Sequence, residues 1–497
     1  MAGLFDALGT ATRGLQVIQQ GMATTGHNIA NADTEGYSRQ RAVVATGTPQ
    51  ASRSGTIGSG AEQVSVERAV DRFVTLRLVS ETSRLAEAES QAASYGEIES
   101  IVNDQLTGGM SGELGAFFSS LDDLASAAEP GQAVARSQVL ASGESFIDLV
   151  HRWDSQFRSL QSDADQTVVG LVPEINNLID GIAVLNGEIL EAETLSPAND
   201  LRDRQEQLIL ELSSRIEISS LSDEQGLASI RLVGGYSLVE RTEANRLEAV
   251  VDPVNPNPSD PTFSQVYYDG GGSHFDITSQ LTGGKLGAVL ETRDAMASGA
   301  IADLDAFVYT FVDNFNTEHR NGFGLVDGAP HDFFQDMSGQ ATIDGSARQL
   351  RMADDIDPSR GGSIDNIAAS ASIDPATGAG FVGDTSQVEI LKDLRTRRVT
   401  GYLAGDIPGA PTGSLSGISG SLIAMTSELG QQSRLAQRTV AQQEAVISRL
   451  QDRRDSISAV SIDEEVAGLV KLQASFQANA RVVRTVTEMI QSLFDAF

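Results

Sequence analysis

Residues 461–497 read SIDEEVAGLVKLQASFQANARVVRTVTEMIQSLFDAF. Leu469, Phe476, Val483, Ile490 and Phe497 recur every seven residues, and Leu472, Val486 and Leu493 fill a companion row three residues on. Asn479 interrupts that second row. Apolar residues at a 3.5-residue repeat make a narrow stripe suited to packing along another helix. Ser461 and Glu464 form a capping box, and Asp463, Glu464 and Glu465 place negative charge at the positive end of the helix dipole. At 1.5 Å per residue such a helix runs about 50 Å.

The other end of the chain carries a matching stripe. Leu4, Leu8, Ala11, Leu15, Ile18, Met22, Thr25 and Ile29 alternate spacings of four and three. One reading is a pair of amphipathic helices that cover a globular core. The other is that the termini pair with each other, in an antiparallel, coiled-coil-like rod, and with neighbouring copies. Long heptads at both ends favour the second reading, because termini are ordinarily the loosest part of a chain.

Composition narrows the function. Thirty-five Lys and Arg against 68 Asp and Glu give a net charge of -33, with no basic cluster to reverse the sign locally. Nucleic acid is therefore excluded as a partner. No continuous apolar run approaches the ~20 residues of a membrane span, and residues 1–6 lack a basic n-region, so neither a membrane partner nor a cleaved signal is expected. The 497 residues contain no cysteine, which suits a chain that leaves the reducing cytosol without cross-linking. The five histidines are far apart, so no zinc site is expected. Residues 354–357 have some calcium character but lack the glycine and closing glutamate of an EF-hand loop. Gly58-Ser-Gly60 and Gly270-Gly-Gly272 do not form a phosphate loop, and no nucleophile elbow occurs. No catalytic residue, metal or cofactor is expected.

The order of patterns predicts a mainly α fold with a β-rich insert. Residues 1–40 read as an assembly helix followed by a turn-forming segment, in which Gly36 can supply a positive φ. Residues 41–214 read as a helical rod or bundle, with two long helices between 132 and 193 and Pro173 near their junction or a kink. Residues 215–283 alternate like strands around a proline-rich loop at 252–261. Residues 284–321 return to helix, and 322–404 form a mixed outer region with short strands at 341–343 and 349–352. Residues 405–460 rejoin the bundle, and 461–497 form the second assembly helix. A chain that leaves and returns through one rod places its middle farthest from it.

Particular residues also carry a resemblance. Asn28, Asn31, Thr34, Gly36 and Tyr37 resemble the signature shared by flagellar rod, hook and hook-associated axial proteins. The continuation Tyr37-Ser-Arg39-Gln40 resembles the hook-associated protein 1 branch of that family, as do Leu201-Arg-Asp-Arg-Gln205, Gly235-Tyr-Ser-Leu-Val239 and Phe315-Asn-Thr-Glu-His319. His27 stands where many relatives have Asn or a small polar residue. The resemblance implies a non-enzymatic extracellular subunit of the bacterial flagellum, exported by the flagellar type III apparatus without signal cleavage. It implies paired terminal helices in the inner layer of a helical tube. The implied interface is Leu4, Leu8, Leu15, Ile18, Met22 and Ile29 with Leu469, Leu472, Phe476, Val483, Val486, Ile490 and Leu493. The implied partners are hook protein, the second hook–filament junction protein, further copies of the chain, and a cytosolic export chaperone at the C-terminal helix. Relative to longer members the chain is short between 334 and 385, so an outer domain is expected to be reduced or missing. The alternatives are another axial protein, such as the second junction protein, hook protein or a flagellin, or a secreted hydrolase or adhesin with axial-type termini.

Isolated amphipathic helices are marginal in water. Limited proteolysis of the purified chain should therefore trim both ends first, leaving a core from about Gln40 to about Asp455. A first cut within 252–261 that spares both termini would contradict this.

Overall fold

The computed structural model describes residues 2–52, 55–103, 109–127, 132–194, 196–222 and 226–495; Phe497, the last position of the seam, lies outside them. Two antiparallel helix pairs frame the molecule. The first joins α1 (Ala2–Ala30) to α11 (Ile462–Asp495), and the second joins α2 (Arg72–Val102) to α10 (Ile418–Ser458). Direction follows from the residues that meet. Gly14 faces Asn479 and Gly21 faces Leu472, while in the second pair Ser433 Oγ donates to Glu99 and Val74 and Leu78 pack with Ile447 and Leu450.

Between α1 and α2 the chain makes a ribbon of β1 (Gln40–Thr46) and β4 (Ala61–Arg68), paired antiparallel with a bulge at Val43/Val44. At its tip β2 (Gln50–Ser52) pairs with β3 (Gly55–Ile57). The ribbon lies back along α1. Gly60, at φ +97, approaches so closely that an added Cβ would meet Thr10 Cγ2 at 3.1 Å.

The body is strung on α4 (Gln132–Ala192), one 61-residue helix. The expectation of two helices here, meeting near Pro173, is wrong. Proline removes the bond to the carbonyl four residues back, here that of Val169, which is 45% exposed and turned toward water. On the opposite face Leu171, Val172 and Ile175 are buried, and that packing holds the helix through the proline.

Two cores divide α4 between them. Its first half packs with α3 (Gly109–Ser126) and α7 (Ala297–His319) around Phe117, Phe146, Phe311, Phe315, Phe333 and Phe334. Its second half packs with α5 (Asn199–Arg215), α6 (Gly284–Glu291) and the β-rich insert. In that insert, β5 (Ile218–Ser222), β6 (Ala228–Leu232), β7 (Ser237–Glu240) and β8 (Glu243–Ala244) form one antiparallel sheet. A second consists of β9 (Arg246–Val250), β10 (Gln265–Gly270) and β11 (Ser273–Asp276). Between the two cores, a π-helical turn over Thr292–Met296 joins α6 to α7 and turns Arg293 inward. The fully buried Arg293 pairs with Asp165 at 2.8 Å and Asp294 at 2.7 Å, which satisfies a charge that burial would otherwise penalise severely. Both α4 and the 284–319 run have the length and mean hydropathy of a membrane span, but 67% of the second window is buried in the body.

Strands expected at 341–343 and 349–352 do not form. Residues 346–349 make a single helical turn, α8 (Ser346–Gln349), and Met352 makes an isolated bridge to Phe334. Here Asp305 on α7 accepts from Gly345 N and Ala347 N, both at 2.7 Å, so a buried carboxylate organises the turn in place of a strand partner. The segment then runs through α9 (Ser386–Asp393) to a small ladder of β12 (Val399–Gly401) and β13 (Gly413–Leu415).

His319 is sealed in the first core. Its Nδ1–H donates to His331 O at 2.7 Å, and Nε2 accepts from Ala368 N–H at 2.9 Å, so both nitrogens are satisfied in the neutral ring. Burial pulls its pKa from 6.5 down to about 4. A His with a depressed folded value contributes stability above its unfolded value and loses it as pH falls toward the folded one. His331 works the other way. Burial pulls it down, but hydrogen bonds with Asp355 and Asp327 leave it raised, so its contribution grows as pH falls. In a His331→Gln chain the opposing His331 contribution is gone, leaving that of His319 against the smaller opposing pull of carboxylates such as Asp305, whose pKa burial raises. Between pH 6.5 and pH 5 the denaturation midpoint should fall steadily, with about one proton taken up on unfolding. A flat midpoint over that interval would contradict it.

Candidate functional site

The heptad of α1 and the seam of α11 meet along one side of each helix. Ile18 and Val486 are buried, and Leu4, Leu8, Leu15, Met22 and Ile29 on α1 are half-buried. Leu469, Leu472, Phe476, Val483, Ile490 and Leu493 on α11 are half-buried too. Gly14 and Gly21 lie on the contact line: a Cβ on Gly14 would stand 3.4 Å from Asn479 Oδ1, and one on Gly21 3.5 Å from Leu472 Cδ1, both in ordinary contact. Asn479 Nδ2 bonds back to Ser475 O at 3.3 Å on its own helix. Register in this pair is therefore expressed through side chains seated over glycines.

Beside the seam, apolar residues of the pair stay exposed among the described residues. Val466, Val470, Val482, Met489 and Phe494 on α11, and Phe5 on α1, are between 45% and 64% exposed. On α11 they fall on both flanks of the seam, Val466 and Phe494 on one and Val482 and Met489 on the other; exposed apolar residues scattered singly are ordinary, but this many bordering one helix seam mark an interaction surface.

The pair joins the body through the turn-forming segment. Asn28 is 1% exposed and fully used: Nδ2 donates to Gln40 O at 2.9 Å, and Oδ1 accepts from Gln40 N at 2.9 Å and Tyr37 OH at 2.8 Å. Asn31 Nδ2 bonds His27 O at 3.0 Å, and its Oδ1 accepts from Thr34 at 3.3 Å, which closes the end of α1. Gly36 sits at φ +78 beneath Gln207, where a Cβ would lie 2.1 Å from Gln207 Nε2. Only glycine satisfies both the backbone angle and that approach.

Arg39 then ties the far terminus. Its Nε donates to Glu465 at 2.6 Å and a terminal nitrogen to Glu464 at 2.9 Å, while its backbone N bonds Ser458 O at 2.8 Å. The two carboxylates that read as helix-capping charge thus also receive a guanidinium from a residue more than 400 positions away. Charge-assisted bonds of this kind are the strong ones, and Glu465 is 5% exposed.

Helix α5 supplies the other jaw. Asp203 accepts from Ser38 N at 3.0 Å and from Arg68 at 2.6 Å; Asp200 accepts from Gln40 at 2.7 Å and lies 3.3 Å from His27 Nε2; Asn199 donates to Val66 O at 2.9 Å. His27, which the sequence left unexplained, thereby links α1 to α5 and packs edge-on against Tyr37. Burial and the neighbouring carboxylates of Asp200, Asp203 and Glu465 push the Tyr37 phenol well above its ordinary range, so it stays a neutral donor to Asn28. Gln40, Arg68, Asn199, Asp200 and Asp203 were not among the expected site residues. Gln40 and Asp203 were quoted only as part of the resemblance, in the stretches 37–40 and 201–205. Among the described residues, no group of three or more histidines and carboxylates is placed to hold a metal ion. The arrangement is mechanical: it fixes two chain ends to one another and to the body.

Comparison with known proteins places this geometry. Residues 95–334 match the model of the flagellar hook-associated protein FlgK helical domain, residues 8–37 that of the flagella basal body rod protein, and residues 453–496 that of the flagellar basal body rod FlgEFG protein C-terminal region. Flagellar hook-associated protein 1 of Bacillus subtilis is 26% identical over 522 residues, covering 100% of this chain and 99% of the relative. The Escherichia coli protein of the same name is 25% identical over 553 residues, covering 98% and 99%. The fold is similar to the flagellar hook junction protein FlgK of Burkholderia pseudomallei, with TM-score 0.58 and 15% identity, over 77% of this chain and 100% of that one.

Arg39→Glu would set a third carboxylate against Glu464 and Glu465. Amide exchange across 461–470 should accelerate strongly, while exchange in the α4 core stays unchanged. Asn28→Ala should cost about 1–3 kcal/mol through the unpaired Gln40 backbone groups. Unchanged protection of 461–470 in Arg39→Glu would show that the ion pairs do not hold this joint.

Proposed function

This chain belongs to the family of flagellar hook-associated protein 1, and from that premise we propose that it is the structural subunit that joins hook to filament. It is a component of the bacterial flagellum that assembles with itself and with other flagellar components. The observation that carries the finer reading is the α1/α11 pair, whose seam is bordered along α11 by exposed apolar residues on both flanks. A heterologous contact through such a surface propagates into a helical tube. In this reading residues 1–40 and 461–497 form the inner wall, 41–214 with 284–321 and 405–460 the helical body, and 215–283 with 322–404 the outer face.

Hook protein lies on one side of the layer and the second junction protein on the other. Before assembly the exposed apolar residues of α11 must be shielded from water, which is the task of an export chaperone at the C-terminal helix. Export proceeds without cleavage of a signal. In this reading the chain is a structural subunit and not an enzyme, with the polar network around Asn28, Arg39 and Asp203 serving to hold helices together. The rival reading, another axial protein, draws on the terminal matches alone, whereas the interior match at 95–334 favours the junction protein.

Phe476→Asp tests the reading. A charge in the seam between α1 and α11 costs several kcal/mol unless it is paired. A strain lacking the native gene should regain filaments with the unaltered chain, yet carry bare hooks and shed flagellin with Phe476→Asp, whose body should melt normally. Full motility together with an unchanged melting curve would contradict the proposal.

A further inference from the structure

A pocket of ≈ 560 Å³ opens where α4 meets the turn around α8, far in sequence from both chain ends. Its wall contains His151, Gln340, Arg348, Arg351 and Arg360, with Asp336 the one carboxylate lining it. That is an unusual local balance in a chain with 68 acidic and 35 basic residues. The volume falls within the range of small-molecule sites, roughly 300–1,000 Å³.

The acidic groups nearby are turned to other work. Asp336 accepts from Ser338 N and Ser338 Oγ, both at 2.9 Å, within its own turn. Asp354 is shared between Arg351, at 2.5 Å, and Arg360, at 3.6 Å, and Asp357 lies 3.4 Å from Arg360. One shared and one distant carboxylate leave several guanidinium N–H groups on Arg351 and Arg360 free to donate. Arg348 has no ion pair among the described residues and sits on the exposed side of α8.

Two enclosed polar atoms point the same way. His151 Nε2 and Gln340 Oε1 are both shielded from water and have no hydrogen-bond partner in the folded chain. Gln340 uses its Nε2 on Gln349 Oε1 at 3.1 Å, and exchanging the ends of both amides would keep that bond, with Gln349 as donor, and turn a Gln340 donor toward the pocket. Buried polar atoms are ordinarily paired, so a pair of orphans lining one cavity calls for an occupant.

We infer that this pocket binds a small multi-oxygen anion, the phosphate or carboxylate of a compact polar molecule, with Arg348, Arg351 and His151 as its donors. Forked guanidinium groups match both oxygens of such an anion, which makes them selective for it over neutral hydroxyls. The chain's overall negative field disfavours anions at long range, so affinity comes from donors at contact distance.

Isothermal titration calorimetry of the full chain tests this with three probes: inorganic phosphate, glucuronate and, as the uncharged control, glucose. Saturable binding of phosphate or glucuronate below about 10 mM, with none for glucose, is the expected result. Phosphate alone identifies a free inorganic ion, and glucuronate alone a carboxylated sugar. Arg348→Gln, an exposed substitution, should weaken binding about tenfold or more with an unchanged melting curve, and His151→Gln should weaken it further. Absence of heat with both anions, equal binding of glucose, or full affinity in Arg348→Gln would each overturn the assignment.

Discussion

The structure depends on one long-range ion pair network, the Arg39 guanidinium against Glu464 and Glu465. Helix α11 packs substantially only on α1, so the C-terminal 34-residue helix is held by a half-buried seam along its length and by this joint at its root. A narrow two-helix seam excludes much less apolar surface than a core helix such as α4, and burial is the dominant stabilising term in folding. The joint therefore carries a share of stability that surface ion pairs ordinarily do not. Partial burial makes this possible: Glu465 and Arg39 are 6% and 19% exposed at their side chains, where screening by water and salt is weak.

Around that pair the turn-forming segment acts as a clamp with three attachments. Asn28 fixes the end of α1 to the first residue of the ribbon, Asp203 and Asp200 fix the ribbon to α5, and Arg39 fixes all of these to α11. Load passing between the α1/α11 pair and the body crosses these bonds and the ribbon alongside α1. This explains why a segment rich in Asn, Asp, Thr and Gly, compositions suited to a loose loop, is so fully hydrogen-bonded. It also explains the need for glycine at 36, where the chain passes under Gln207.

Much of this was legible in the sequence, and the failures have physical causes. The heptads at both ends were visible because a 3.5-residue repeat is a local pattern, and the β-rich insert showed through its alternation. The antiparallel register was not visible, since it rests on Gly14 under Asn479 and Gly21 under Leu472, pairings between residues more than 400 apart. Glu464 and Glu465 were recognised as end-of-helix charge, but no local rule reveals that Arg39 answers them. Pro173 misled because proline breaks a helix only when packing does not hold it, and here Ile175 and its buried neighbours do. The strands expected at 341–352 failed for a related reason. Short apolar runs are ambiguous, and Asp305, from a distant helix, binds the amides of Gly345 and Ala347 and so fixes a helical turn between the two expected strands.

The central claim is that the two termini of one chain pair antiparallel in this register before any assembly. The absence of cysteine makes a direct measurement simple, because each introduced thiol is the only one at its site. Gly21→Cys with Leu472→Cys places two thiols in facing positions, whereas Gly21→Cys with Met489→Cys does not. Mild oxidation of dilute monomer should convert the first variant almost entirely to an internally cross-linked chain and leave the second reduced. Equal cross-linking of both variants, or cross-links only between separate chains, would contradict the account.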